Sequence, residues 1–195
     1  MLKISGGSCR GRILRTGTDK RIRPTTGRVK EALFSMLGSR VSQAVVLDLF
    51  AGSGSLGLEA LSRGAAAAIF VDNHRQSLSL IKENIKQCGF IDKSEVVSGS
   101  ALQSRLYNTL EQQLKKNSWQ HEGFNLVFLD PPYGQGMAQS AINNLTASTL
   151  LLVDAVVVTE EAENVIVTLP EDWTLLQSRS YKDTRLHIWS RQNNL

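Results

Sequence analysis

The stretch Asp48-Leu-Phe-Ala-Gly-Ser-Gly-Ser-Leu-Gly57 joins an apolar segment to a segment with helical spacing. Residues 44–47 before it, Ala-Val-Val-Leu, favour a buried strand. Residues 56–61, Leu-Gly-Leu-Glu-Ala-Leu, have the spacing of a helix. Gly52 and Gly54 allow a tight turn and a close approach of a ligand to the backbone. This order of strand, glycine turn and helix predicts the first unit of a Rossmann-like sheet.

The glycines of this turn fit two kinds of cofactor site. Gly52, Gly54 and Gly57 match the G-x-G-x-x-G pattern of dinucleotide sites. Asp48, at the end of the predicted strand, would repel a pyrophosphate but can accept hydrogen bonds from a ligand ammonium group. The pattern therefore resembles the first motif of S-adenosylmethionine-dependent methyltransferases, whose cofactor carries an amino acid and no phosphate. The remaining alternative is a turn that only connects a strand to a helix.

The composition is that of an ordinary globular domain. The chain has 195 residues, of which 42% are hydrophobic and 21% charged. Cys9 and Cys88 form no C-x-x-C motif, which predicts a reduced cytosolic compartment. The first residues lack an apolar signal core, and the longest apolar stretch, residues 150–158, is too short to span a bilayer. We therefore expect a cytoplasmic protein with no membrane partner and no metal site.

Basic residues are concentrated at the start of the chain. Residues 1–40 carry a net charge of +8, so the remainder carries −4 of the total of +4. A basic arm on a neutral-to-acidic body is typical of a protein that binds nucleic acid, and a solvated surface is the alternative. The ten basic residues are Lys3, Arg10, Arg12, Arg15, Lys20, Arg21, Arg23, Arg28, Lys30 and Arg40.

Hydrophobic periodicity predicts an α/β fold with a mostly parallel sheet and a closing antiparallel hairpin. Residues 1–40 are expected to form a small β-hairpin and helix extension that packs on the catalytic domain, residues 41–195. The hairpin is predicted from residues 2–5 and 12–15, and the helix from Pro24 to Leu37. Later strands are predicted at residues 67–72, 95–98, 124–130, 150–159, 173–181 and 185–189, with helices at 74–88, 102–114 and 138–150.

Two further positions are predicted to contact an adenosine-containing cofactor. Asp72 ends the second strand about 20 residues after the glycines, where an acid can bind ribose hydroxyls. Its alternative role is to cap the helix that begins near His74, and both roles are compatible. After the third strand, methyltransferases commonly carry an acid that meets the adenine amine. This chain has Ser100 there, so a backbone amide or the serine hydroxyl would have to contact the adenine instead.

The tetrapeptide Asp130-Pro-Pro-Tyr133 follows the predicted fourth strand. Ligands of open α/β sheets bind beside the carboxyl ends of the strands, so this motif should face the Asp48 turn. The Asp130 carboxylate and the Pro131 carbonyl can hold the two hydrogens of an exocyclic amine. Pro131 and Pro132 fix the backbone and remove two N–H donors. Tyr133 offers a ring on which a base can stack, worth about 1–3 kcal/mol.

This arrangement suits methylation of a planar amino group on a base. The nitrogen lone pair of such an amine is delocalised into the ring, which makes it a poor nucleophile. Acceptors on its hydrogens draw the amine toward tetrahedral geometry and stabilise the charge that develops in the transition state. A base buried in a helix would have to flip out or be presented unpaired.

The whole chain resembles the RsmD family, the bacterial 16S ribosomal RNA guanine-N2 methyltransferases. The resemblance lies in the Ile4-Ser-Gly-Gly hairpin, the Arg23–Phe34 stretch, the Asp48–Gly57 turn, Asp130-Pro-Pro-Tyr133 and the tail Tyr181-Lys-Asp-Thr-Arg-Leu186. It implies methyl transfer from S-adenosylmethionine, which leaves S-adenosylhomocysteine, to one guanine of 16S rRNA in 30S particles or their assembly intermediates. The family would have glycine where Lys182 stands, and a lysine there could add an RNA contact.

The same resemblance assigns roles to individual residues of a monomeric enzyme. The target base is assigned to Asp130, Pro131, Pro132 and Tyr133. The cofactor is assigned to Asp48, Phe50, Gly52, Gly54, Asp72, Ser100 and Ala101. The RNA phosphates are assigned to Arg10, Arg12, Arg15, Arg23, Arg28 and Lys30.

Three other functions compete with this interpretation. An adenine-N6 methyltransferase of DNA or RNA can use the same Asp-Pro-Pro-Tyr chemistry, but the chain has no room for a separate target-recognition domain. An NAD-dependent oxidoreductase would use the three glycines of the turn. A non-catalytic RNA-binding protein could keep the fold, although the intact Asp130–Tyr133 motif argues against it.

Overall fold

The computed structural model describes residues 2–17, 27–116, 121–132 and 136–191. Within them, seven strands form one sheet with helices on both faces. The strands are β1 (Val45–Leu49), β2 (Ala67–Asp72), β3 (Ser94–Ser98), β4 (Phe124–Leu129), β5 (Leu151–Ala162), β6 (Trp173–Tyr181) and β7 (Thr184–Arg191). The helices are α1 (Gly27–Leu37), α2 (Ser55–Ser62), α3 (Arg75–Cys88), α4 (Ser104–Lys116) and α5 (Met137–Thr146), with short 3₁₀ turns at Gly38–Val41 and Ile91–Lys93.

The strand order confirms the predicted fold class. The sheet runs β3-β2-β1-β4-β5-β7-β6, with β1 to β5 parallel and β7 antiparallel to both of its neighbours. Chain order reverses between β1 and β4, which opens a crevice at the carboxyl ends of these two strands. This switch point is where an open α/β sheet places its ligand.

Two apolar cores cover the two faces of the sheet. On the first face, α1, α2 and α3 bury Leu33, Leu58 and Ile81 against the strands. On the second face, α4 and α5 bury Leu110 and Ile142. The central strands β1 and β2 are buried along their whole length, which explains their nearly continuous apolar sequence.

The N-terminal arm, which we define as residues 2–17, packs on the first face. Its two segments pair through a single antiparallel bridge between Lys3 and Ile13, with a hydrogen bond from Leu14 N to Leu2 O of 2.9 Å. The predicted hairpin pairing is therefore confirmed, although it is too short to form regular strands. Leu2, Ile4 and Leu14 are buried in the same core as α1 to α3. The division of the chain at residue 40 stays a prediction.

Several element boundaries differ from the sequence prediction. The helix expected from Leu102 begins at Ser104, and Leu102 is exposed. Helix α5 ends at Thr146, whereas its apolar pattern continued to Leu150. Strand β5 runs three residues beyond Thr159, because the antiparallel partner β7 continues to pair with it as far as Ala162 and Thr184. None of the helices in the described ranges is long and apolar enough to cross a membrane.

Candidate functional site

The glycine turn after β1 has a backbone that few residues adopt. Phe50, Gly52 and Gly54 have φ angles of 64°, 58° and 78°. The angle at Phe50 is uncommon for a residue with a side chain, and backbone strain of this kind is frequent at ligand sites. Gly57 is required for another reason, since a Cβ there would lie 2.4 Å from Phe70 Cε1. It therefore lets α2 pack closely on β2.

Asp48 lies inside the protein beneath this turn. Its side chain is only 1% exposed, and Oδ2 accepts a hydrogen bond of 2.9 Å from the Gly57 N–H. Burial raises the pKa of Asp48 to about 7, the Gly57 hydrogen bond opposes the rise, and the charge of Asp72 adds to it. Asp48 thus holds the first turn of α2 in place, and its contact with a ligand ammonium group stays a prediction.

The Asp72 carboxylate joins the ends of β1 and β2. Oδ2 accepts the Gly52 N–H at 2.9 Å, and Oδ1 accepts the His74 N–H at 2.8 Å. Asp72 is therefore not the N-cap of α3, which is His74 with no side-chain cap hydrogen bond, but it accepts the N–H of that N-cap residue. Each carboxylate oxygen has a second lone pair, so ribose hydroxyls could still be accepted here.

The loop after β3 lies beside Asp72. The Gly99 N–H donates to the Asp72 carbonyl at 3.1 Å, which brings Ser100 and Ala101 to the same edge of the sheet. The Ser100 hydroxyl accepts the Leu102 N–H at 3.3 Å, and the Ala101 carbonyl accepts the Tyr107 hydroxyl at 2.8 Å. The loop is thus held by its own hydrogen bonds, and the adenine contact stays a prediction.

The Asp130-Pro-Pro segment stands across the crevice from the glycine turn. Leu49 of β1 is in register with Leu129 of β4, so Phe50 and Asp130 leave neighbouring strands at the same level. Asp130 is half-buried, Pro131 is buried and Pro132 is exposed. Tyr133 lies outside the described residues.

The residues at this edge fit the cofactor that the sequence predicts. The turn from Asp48 to Gly57 contains no basic side chain, and it is flanked by the carboxylates of Asp48 and Asp72. This donor set suits a positively charged amino acid group and ribose hydroxyls, and it is unfavourable for a pyrophosphate. In the described part of the chain, no group of three or more His, Cys, Asp or Glu residues could hold a metal ion.

Most of the predicted RNA-facing arginines are exposed. Arg10, Arg12, Arg15 and Arg28 all reach solvent, and Arg15 forms an ion pair of 2.9 Å with Glu83 on α3. Arg23 lies outside the described residues. Their contact with RNA phosphates stays a prediction.

The prediction for Lys30 is wrong, because its side chain is completely buried. Lys30 Nζ lies 3.0 Å from Glu59 Oε2 and donates to the Lys3 carbonyl at 2.7 Å. Burial opposes the charge on both partners, but hydrogen bonds from Ser5 and the charge of Lys30 still lower the pKa of Glu59. Lys30 therefore fastens the arm to α2 from within and cannot approach RNA.

Sequence reasoning also missed two buried polar residues on the helices that follow the cofactor strands. Glu59 of α2 binds Lys30 and Arg63, and it accepts the N–H groups of Ser5 and Gly6. Asn84 of α3 binds both the arm and the glycine turn. The sequence carries one sign of these roles, which is a polar residue at a position where the helix is buried, such as Asn84 beside Ile85.

Comparison with protein families and curated proteins places the chain among methyltransferases. A family described as "Conserved hypothetical protein 95" matches residues 2–190. The chain is 33% identical over 192 residues to ribosomal RNA small subunit methyltransferase D of Escherichia coli, covering 98% of this chain and 90% of that protein. It is 34% identical over 179 residues to the protein of the same name from Haemophilus influenzae, covering 92% and 88%.

Solved structures agree on the fold. An Escherichia coli protein described as a candidate methyltransferase has a TM-score of 0.82 and 32% identity, with 98% of each chain covered. A Thermus protein of 29% identity has a TM-score of 0.76, with 96% of this chain and 98% of that one covered. An RNA methyltransferase of Salinibacter ruber, solved with S-adenosyl-L-homocysteine, has a TM-score of 0.62, 15% identity, and coverages of 89% and 96%, and it supports the fold alone.

Proposed function

The chain belongs to the RsmD family, and on that premise we propose that it transfers a methyl group from S-adenosylmethionine to the N2 amine of one guanine in 16S rRNA. The observation that carries the proposal is the register of β1 with β4, which brings Asp130-Pro-Pro level with the acidic glycine turn across the switch point. The names of the Escherichia coli and Haemophilus influenzae relatives support the RNA substrate.

The cofactor would be held by the glycine turn and the two loops beside it. Asp72 would accept the ribose hydroxyls on the lone pairs that Gly52 and His74 leave available. Phe50, Gly52 and Gly54 would offer backbone groups to the amino acid part, with Asp48 beneath them, and Ser100 and Ala101 would border the adenine. When bound, S-adenosylmethionine supplies an electrophilic methyl group next to a sulfonium charge.

The target guanine would meet the Asp130-Pro-Pro-Tyr133 segment. The Asp130 carboxylate and the Pro131 carbonyl would accept the hydrogens of the exocyclic amine, which localises its lone pair and stabilises the positive charge that develops there. Pro131 is buried and its ring fixes the backbone, so its carbonyl would be held in a nearly constant position. Tyr133 would stack on the base.

The proposed setting is a cytoplasmic monomer that acts on 30S particles or their assembly intermediates without a metal ion. A structured substrate would present one guanine unpaired, or the base would be flipped out at a cost of a few kcal/mol. The exposed arginines Arg10, Arg12, Arg15 and Arg28 would position the RNA through its phosphates, without reading its sequence.

The decisive experiment follows labelled methyl from S-adenosylmethionine into three substrates: 30S particles that lack modifications, naked ribosomal RNA and duplex DNA. The modified nucleoside is then identified by mass spectrometry. N2-methylguanosine from 30S particles is the expected product. N6-methyladenine from DNA would contradict the proposed substrate, and the absence of any transfer would contradict the proposed activity.

A substitution tests the role of Asp130 in this reaction. Asp130→Ala should lower turnover by about 10²-fold or more, because it removes an acceptor that stabilises developing charge, while cofactor affinity is retained. The control is Asp154→Ala, at an exposed position of β5. Methylation by the Asp130 variant at the wild-type rate would exclude Asp130 from the mechanism.

A further inference from the structure

Asn84 connects the N-terminal arm to the glycine turn through one buried amide. Its Oδ1 accepts the Arg15 N–H at 2.8 Å, and its Nδ2 donates to the Arg15 carbonyl at 3.0 Å and to the Ser53 carbonyl at 2.9 Å. The side chain is 0% exposed. One acceptor facing an N–H and two donors facing carbonyls fix the orientation of the amide.

The Ser53 carbonyl lies in the middle of the proposed cofactor turn. Two other contacts of this turn run to its own sheet, with Ala51 N donating to Val71 O at 2.9 Å and Gly52 N donating to Asp72. The bond from Asn84 instead ties the turn to α3 and, through Arg15, to the arm. The Arg15 and Ser53 carbonyls each accept one of the two amide hydrogens, so a displacement of the turn at Ser53 would shift the same amide group that holds the arm at Arg15.

We propose that Asn84 is a positioning residue that couples the basic arm to the cofactor turn. Cofactor binding, which orders the turn around Ser53, would stabilise the docked arm at Arg15, and an RNA that holds the docked arm would favour cofactor binding by the same factor. This inference rests on the proposed function, since it assumes that S-adenosylmethionine occupies the turn.

Gln87 supplies a matched control on the same helix. Its Nε2 donates to the Ile13 carbonyl at 3.0 Å, so it also binds the arm, but it is exposed and has no hydrogen bond to the glycine turn. Asn84→Leu removes two hydrogen bonds to the arm, whereas Asn84→Asp and Gln87→Leu each remove one. Only the Asn84 variants also release Ser53, so a difference between Asn84→Asp and Gln87→Leu reports the link to the turn.

The first measurement is the affinity for S-adenosylhomocysteine by calorimetry, at a temperature where thermal melting shows each variant to be folded. Asn84→Leu should weaken binding about tenfold, whereas Gln87→Leu should stay within about twofold of the wild type. Asn84→Asp, which keeps the acceptor for the Arg15 N–H but loses both donors, should resemble Asn84→Leu. Wild-type affinity in both Asn84 variants, or equal losses in Asn84→Leu and Gln87→Leu, would overturn the inference.

The second measurement needs no variant that could fail to fold. Hydrogen exchange of the wild-type protein should slow on addition of S-adenosylhomocysteine at the arm peptide that contains Arg15, as well as at residues 51–58. Protection of residues 51–58 without protection of the arm would overturn the coupling while leaving the proposed function intact. If the wild-type protein bound no S-adenosylhomocysteine, the proposed function itself would fail, and this inference with it.

Discussion

Asp48 is a carboxylic acid that the fold holds away from water, and burial raises its pKa from 3.8 to about 7. Between these two values the folded protein keeps a proton that the unfolded chain has already released. The free energy of unfolding contributed by this group therefore falls as the pH rises through that window, by up to about 4 kcal/mol. A buried carboxyl group that lowers the free energy of unfolding near neutral pH is more easily explained by ligand binding than by a contribution to stability.

We expect Asp48→Asn to remove this pH dependence. Asparagine keeps an oxygen for the Gly57 N–H, so the variant should become increasingly more stable than the wild type between about pH 4 and pH 7. Cofactor binding should weaken at the same time, because the negative charge is lost. Denaturant unfolding across this pH range measures the difference, with the exposed Asp154→Asn as control. A constant difference in unfolding free energy would contradict the raised pKa.

Lys182 shows why the tail motif would favour glycine at this position. It has a φ of 53° in the turn between β6 and β7, where Tyr181 pairs with Thr184. A left-handed backbone costs a residue with a side chain about 1–2 kcal/mol, and glycine avoids this cost. Part of the stability that glycine gains is offset, because glycine loses more conformational freedom when the chain folds.

We therefore expect Lys182→Gly to raise the free energy of unfolding by about 0.5–1 kcal/mol. Lys182→Ala keeps the backbone strain and should leave stability close to that of the wild type. Denaturant titration of the three proteins tests this order. If both substitutions weakened RNA binding equally, the lysine side chain would contribute to the RNA contact despite its strained backbone.

The arm is held against α2 by a close backbone contact as well as by the buried side chain of Lys30. Ser8 N donates to the Ser62 carbonyl at 2.8 Å, and Cys9 N donates to Ser62 Oγ at 2.9 Å. Gly7, with a φ of 76°, makes this approach possible, since a Cβ there would lie only 1.7 Å from Ser62 O. The arm and α2 therefore dock as two backbones in contact.

Gly7→Ala should separate the arm from α2. The new methyl group meets backbone that cannot move aside, so we expect a loss of about 3 kcal/mol or more in unfolding free energy, or early cleavage of the arm by trypsin. Gly11→Ala is the matched control, because Gly11 has a φ of 84° but nothing within 4 Å of its added Cβ. Its cost should be limited to about 1–2 kcal/mol. Equal losses would show that backbone strain, rather than the close contact, limits this site.

Across the whole molecule, the arm contacts the C-terminal part of α3, from Glu83 to Cys88. Its turn is near the C-terminal end of that helix, where Cys9 Sγ lies 3.3 Å from the Cys88 carbonyl, while Arg15 lies one helical turn away, at Asn84. Helices that connect parallel strands run antiparallel to them, so the arm turn is at the edge opposite Asp130.

An RNA that reaches both Arg12 and the proposed active site would therefore have to extend along this face of the protein. We expect Arg12→Ala to weaken binding of 30S particles and to reduce the slope of log K against log salt by about 0.7–0.9, the value for one phosphate contact. Arg179→Ala, an exposed arginine on the edge strand β6, is the control. An unchanged slope for Arg12→Ala would place the RNA elsewhere on the protein.

Local patterns were sufficient to predict most of the fold. Strand, glycine turn and helix around Asp48, and the alternation that follows, depend on hydrophobic period and on glycine, which act between neighbours in the chain. The boundaries of β5 and α4 were not predictable in this way, because pairing with β7 and packing of the preceding loop decide them.

Local sequence patterns are enough to specify the fold class, the acidic glycine turn and the position of Asp130-Pro-Pro at the end of a strand. The burial of Lys30 against Glu59 and the link from Arg15 through Asn84 to Ser53 arise from tertiary packing. The Asn84 bond to Arg15 spans 69 residues. No local pattern identifies the distant partner of a lysine in a basic N-terminal region or of an asparagine in a helix. Burial gives each of them a partner, because a polar group removed from water must be paired.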